Sequence, residues 1–215
     1  MVYYDYQTMA YSGFFCWEKI SLMVSKRRAF LKNLVLAALM SEGYIDPFAS
    51  KVELRVPYDI RRTPYLLSLI RDYSLEEDIT ILAKKRVFII HHCEELDSMT
   101  KQWYKDERKI FSFVLDYNLI NMEAIILANI LFGTREEFYI SIPTTIDKAF
   151  LKSISICISR HIDVPVIFKS NQINILNVQD YFKNVAGKLP AYHIAELITF
   201  LTESEKKRIR EEISM

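Results

Sequence analysis

The chain has 215 residues, 51% of them hydrophobic and 26% charged, which supplies a folded core and excludes a disordered tail. Lys and Arg number 28 against 27 Asp and Glu, so a net charge of +1 excludes a uniformly basic coat for nucleic acid, though not a local patch. Glycine stands only at Gly13, Gly43, Gly133 and Gly187, and neither G-x-G-x-x-G nor G-x-x-x-x-G-K-[ST] can be written from those positions.

The opening MVYYDYQTMAYSGFFCW lacks the charged-then-apolar pattern of a signal peptide. Its aromatics (Tyr3, Tyr4, Tyr6, Tyr11, Phe14, Phe15, Trp17) offer faces for stacking bases or for packing against a partner or the core. Ser21–Met40 reads as a long helix closed by Gly43, and its apolar run Leu34–Met40 is too short to span a bilayer. Cys16, Cys93 and Cys157 are odd in number and far apart, as expected of buried thiols in a reducing compartment, so the expected location is the cytoplasm.

Four runs read as strands: Lys51–Val56, Val87–His92, Ala124–Ile130 and Val164–Lys169. The second and third are nearly continuously apolar, the pattern of strands buried on both faces of a parallel sheet. Helix candidates separate them. Thr63-Pro64 opens TPYLLSLIRDY, Ser74-x-x-Glu77 has the form of a capping box, and Ser98–Tyr117 carries Trp103, Ile110, Val114 and Tyr117 near one face. Thr144 or Thr145 caps a helix with the stripe Ile146, Phe150, Ile154 and Cys157, while Phe138–Pro143 fits a further strand or an extended approach to that helix. No solenoid period is visible. Strand–helix–strand alternation predicts an α/β domain over residues 1–170 with a parallel sheet, followed by a small helical domain over 171–215. The alternative is an α+β fold whose first half is helical.

The segment KKRVFIIHHCEELDS (Lys84–Ser98) has the layout of a Walker B strand and the helix after it. With YDIRRTPYLLSLIRDYSL before it, KIFSFVLDYNLINMEAIILAN after it and ICISRHIDVPVIFK further on, it resembles the AAA+ clamp-loader subunits of bacterial DNA polymerase III, of the delta and delta-prime type. The resemblance implies a parallel AAA+-like sheet, a helical lid, and a sensor position at Asn129. Ser159-Arg160-His161 stands at the family's Ser-Arg-Cys motif, so Arg160 is implied as an arginine finger presented in trans to a neighbour's nucleotide. His91 and His92 occupy the Walker B acidic positions, and the phosphate loop is missing. The implied protein is therefore a non-catalytic subunit without cofactor, acting through contacts with other clamp-loader subunits.

Other constellations are weaker. His91, His92, Cys93, Glu94 and Glu95 are dense in potential ligands, but adjacent strand residues face opposite sides, so no metal site is expected. Cys93 beside His92 suggests a small Cys-dependent hydrolase as one alternative, and a scaffold or adaptor subunit of another complex is a second. Basic clusters at Lys26-Arg27-Arg28, Arg61-Arg62, Lys84-Lys85-Arg86 and Lys206-Lys207-Arg208 fit either DNA backbone or solvated faces.

Overall fold

The continuous apolar run expected as a buried strand is a helix. In the computed structural model, which describes residues 6–46, 51–111 and 119–213, Ala124–Ile130 lies within α4 (Met122–Phe132). The side chain of Asn121 accepts a hydrogen bond from the Ala124 N–H at 2.9 Å and starts that helix. Every residue from Ala124 to Phe132 is buried, so α4 is apolar all round because it is packed all round. Without that run as a central strand, the expected parallel AAA+-like sheet is not formed. Every strand pair among the described residues is antiparallel.

The chain builds the same pattern twice. The first copy is α1 (Tyr6–Met40), β1 (Tyr44–Ile45), β2 (Leu54–Pro57), a 3-10 turn (Ile60–Arg62), α2 (Thr63–Asp72), β3 (Ile79–Leu82), β4 (Val87–Ile90) and α3 (Glu94–Trp103). A short hairpin follows, β5 (Tyr104–Lys105) and β6 (Arg108–Lys109). The second copy is α4, β7 (Thr134–Arg135), β8 (Tyr139–Pro143), α5 (Lys148–Ile162), β9 (Val166–Lys169), β10 (Gln172–Leu176) and α6 (Val178–Ala186). Both sheets have the same order, β1-β2-β4-β3 and β7-β8-β10-β9.

Register makes the two copies comparable residue by residue. Tyr44, Arg55, Ile89 and Thr80 stand in one cross-strand row, matched in the second sheet by Thr134, Ser141, Asn174 and Ile167. Pro57 opposite Val87 corresponds to Pro143 opposite Gln172. Just beyond, the Tyr58 N–H donates to the Arg86 carbonyl at 3.1 Å and the Thr144 N–H to the Asn171 carbonyl at 2.9 Å, so even the strand exits repeat. Leu54, Val56, Phe88 and Ile90 in one sheet, and Ile140, Ile142, Ile173 and Ile175 in the other, turn inward to the core.

Two of the four glycines occupy equivalent places. Gly43 and Gly133 directly precede the matched residues Tyr44 and Thr134, where each central helix gives way to its strand. A Cβ at Gly43 would lie 2.6 Å from the Ala38 carbonyl oxygen, and one at Gly133 2.3 Å from that of Asn129. Helices α1 and α4 pack against each other, with Leu34–Met40 of α1 wholly buried. One polar bridge crosses between them: the Asn33 side chain donates to Glu123 at 2.8 Å and accepts from Asn121 at 2.7 Å.

The boundary expected at residues 170/171 falls in the turn between β9 and β10, which pair in one sheet. Two further helices follow α6, namely α7 (Ala191–Ile198) and α8 (Glu203–Ile213), the latter opened by a capping box of Thr202 and Glu205. His193 on α7 is fully buried, shares a hydrogen bond between its Nδ1 and the Tyr65 hydroxyl, and is pushed down to about 4 by that burial. A histidine depressed in the folded state resists protonation there, so its contribution is present above about pH 6.5 and is lost as pH falls toward 4. We expect about 3 kcal/mol of stability to disappear across that window in urea titrations, and His193→Gln to flatten the loss.

Candidate nucleic-acid interface

The last turn of α1 is tied into the second repeat. The Ser41 carbonyl accepts from the Lys109 ammonium at 2.9 Å and from the Thr145 N–H at 3.3 Å, and the Ser41 hydroxyl donates to the Pro143 carbonyl at 3.0 Å. A helix C-terminus carries partial negative charge, so a cation on its last carbonyls is favourable. Between the ends of the two central helices lies a cavity of about 170 Å³. Its walls are the matched prolines Pro57 and Pro143, then Ser41, Glu42, Tyr58, Asp59 and Phe132.

The repeats differ in the acid they bring to that cavity. Glu42 precedes Gly43, and Phe132 stands in the same place before Gly133. One helix end therefore presents a carboxylate and the other a phenyl ring. Lys109, 5% exposed, is pushed down to about 7 by burial, with the Glu42 charge acting in the opposite direction. Near neutral pH such an amine can take or give a proton. Asp59, on the other wall, accepts from the Arg61 N–H and guanidinium, which holds its carboxyl below the usual range and keeps it ionised.

Around the cavity, the turns that end the sheets are exposed. Lys84, Lys85 and Arg86 in the β3–β4 turn are exposed, and Lys169 begins the matching β9–β10 turn. On the outer face of the second sheet, the Ser141 hydroxyl and the Asn174 side-chain oxygen Oδ1 are buried without a hydrogen-bond partner. Such groups stay costly until something satisfies them.

The residues singled out in the sequence are scattered. Arg160 is an exposed cation in the last turn of α5, close enough to Cys157 for its charge to act there. His91 bonds Thr80 and Glu53, His92 reaches Asp97 at 3.3 Å, and among the described residues no group of three or more metal-ligating side chains forms. Cys93 is half-buried and burial pushes its thiol up, opposite to the shift that activates a catalytic thiolate. Arg27 pairs with Asp78, Arg28 with Glu94 and Glu95, Lys206 with Glu203 and Lys207 with Glu211, so those two basic clusters are largely structural. Asn129 is buried inside α4 beneath Gly133 and holds no sensor position on a strand. The side chains of the aromatic N-terminus through Trp17, and those of Val114 and Tyr117, lie outside the described residues. Sequence reasoning missed Glu42 and Lys109. The available signal was the two apolar runs Leu34–Met40 and Ala124–Phe132, each followed within three residues by a glycine.

No protein-family model matches the chain, and no curated protein sequence matches it. Among solved structures, its fold is similar to that of the homing endonuclease I-WcaI bound to its DNA recognition sequence, at a TM-score of 0.55 and 11% sequence identity, covering 77% of this chain and 85% of that one. This finding, with the antiparallel two-sheet topology, overturns the clamp-loader resemblance and the DNA polymerase III subunits expected as partners. It equally removes the ground for expecting a non-catalytic subunit, because that expectation rested on the clamp-loader resemblance. Among the described residues no helix is long and apolar enough to cross a membrane.

Proposed function

We propose that this chain binds double-stranded DNA across its two sheets and cleaves one strand at the cavity between the central helices. The asymmetry of that cavity carries the reading: two matched helix ends meet there, but only the first brings a carboxylate, Glu42, whose charge acts on the buried amine of Lys109. Likeness in fold to an endonuclease on its DNA supports the choice of substrate.

The residues suit phosphodiester chemistry with Mg²⁺, which keeps most of its waters and is commonly held by one or two carboxylates together with substrate phosphates. Glu42 would hold such an ion against the phosphate, and the ion would lower the charge developing on the phosphoryl oxygens. Lys109 would hold or move a proton near the attacked phosphate. Pro57, Pro143 and Phe132 give the cavity an apolar lining. A second carboxylate is missing where Phe132 stands, so cutting is confined to one strand.

The test is binding and nicking together. Purified protein is expected to bind duplex DNA with an affinity that falls as salt rises, and to convert supercoiled plasmid to open circles in Mg²⁺ without producing linear molecules. The nicking rate is expected to rise through an inflection near pH 7, which Lys109→Met removes. Absence of duplex binding overturns the proposal, and linear product overturns its one-strand form.

A further inference from the structure

Beside the central cavity and sharing Asp59 with it lies a larger one of about 360 Å³, walled by guanidinium groups from both repeats: Arg61 and Arg62 from the first and Arg135 from the second. Two of these arginines are held by the C-terminal helices. Arg62 donates to the Glu196 carboxylate of α7 at 2.9 Å and lies over the Phe200 ring at 4.9 Å. Arg135 donates to the Glu205 carboxylate of α8 at 3.0 Å. Arg61, 83% exposed, pairs with Asp59. Three guanidiniums thus meet three carboxylates.

The match is incomplete in one respect. Arg135 carries two further donors, Nε and Nη1, that are buried and have no hydrogen-bond partner. A buried unpaired donor on a charged group is costly. The planar fork of an arginine fits the oxygens of a phosphate better than one carboxylate oxygen does. The Thr134 and Thr199 hydroxyls stand on the same wall.

We propose that this cavity is a subsite for a backbone phosphate of the bound nucleic acid, and that Glu196 and Glu205 occupy its arginines until a phosphate displaces them. The C-terminal helices α7 and α8 are then a self-inhibiting strap across both repeats. This rests on the nucleic-acid reading above and adds regulation to it.

The experiment is duplex-DNA affinity, by fluorescence anisotropy across a KCl series, for the full chain and for Glu205→Gln, Glu196→Gln and Arg61→Gln, with melting temperatures checked on each. Both glutamine variants at the glutamates keep their shape and lose their charge. They are expected to bind at least about threefold tighter, with a steeper salt dependence, whereas Arg61→Gln binds more weakly and its salt slope falls by about one. Unchanged or weaker binding by folded Glu205→Gln and Glu196→Gln overturns the proposal. If the unsubstituted chain binds no duplex at all, the preceding reading fails, and pyrophosphate then decides the subsite. A larger pyrophosphate-induced rise in melting temperature for Glu205→Gln than for the unsubstituted chain upholds a phosphate site masked by Glu205 without its nucleic-acid occupant, and equal rises overturn the site as well.

Discussion

Glu42→Gln is expected to lower Mg²⁺-dependent nicking by at least about 100-fold while leaving duplex affinity equal or slightly higher. A factor of 100 is about 2.7 kcal/mol of transition-state stabilisation, a loss in keeping with removing one charged group aimed at developing charge. The carboxylate is the one acid that either central helix end presents to the cavity, since Phe132 occupies the matching place. Binding is expected to survive because the exposed lysines of the β3–β4 and β9–β10 turns are untouched, and because deleting a negative charge beside phosphate removes repulsion. Gel separation of supercoiled, nicked and linear plasmid, with anisotropy on the same preparations, reads both quantities. Retained nicking by the variant places the chemistry elsewhere.

Gly133→Ala is expected to be the most damaging small substitution for stability. Its Cβ would sit 2.3 Å from the Asn129 carbonyl oxygen, 2.7 Å from the Asn129 side-chain oxygen and 3.0 Å from Ile140. Those atoms belong to buried α4 and to a core strand, so nothing nearby gives way without moving the helix-to-strand junction. Overpacking of this kind costs about 3 kcal/mol, or a melting temperature lower by roughly 6–12 °C for a chain of this size. Gly187→Ala is the control, since its Cβ would meet nothing within 4 Å and its φ of −68° suits alanine. Equal melting temperatures for the two variants would refute the steric argument.

Several local elements were legible in the residues. Thr63-Pro64 opens α2, the Ile146-to-Cys157 stripe lies along α5 and the segment just before it, Val87–Ile90 is a strand, and the chain after residue 177 is helical. Others followed the wrong period. Ala124–Ile130 is so uniformly apolar that it has no periodicity to distinguish strand from helix, and only the cap at Asn121 separates the two. Ser74-x-x-Glu77 has the letters of a capping box but forms a turn between α2 and β3, with Ser74 at positive φ. Ser98–Tyr117 breaks at Trp103 into a hairpin, because Asp106 and Glu107 both adopt positive φ.

The scarcity of glycine excluded a phosphate loop from sequence alone, and that exclusion rests on backbone geometry that needs no fold. What the two central glycines do was decided by tertiary structure. Gly43 and Gly133 are ninety positions apart with little in common around them, and only strand register makes them equivalent. The same register sets Glu42 against Phe132 across one cavity, and brings Lys109 from a separate hairpin to the end of α1. Local sequence governs caps, periods and forbidden conformations, because those act within a few residues. A site assembled from two helix ends and a hairpin depends on which surfaces the core brings together.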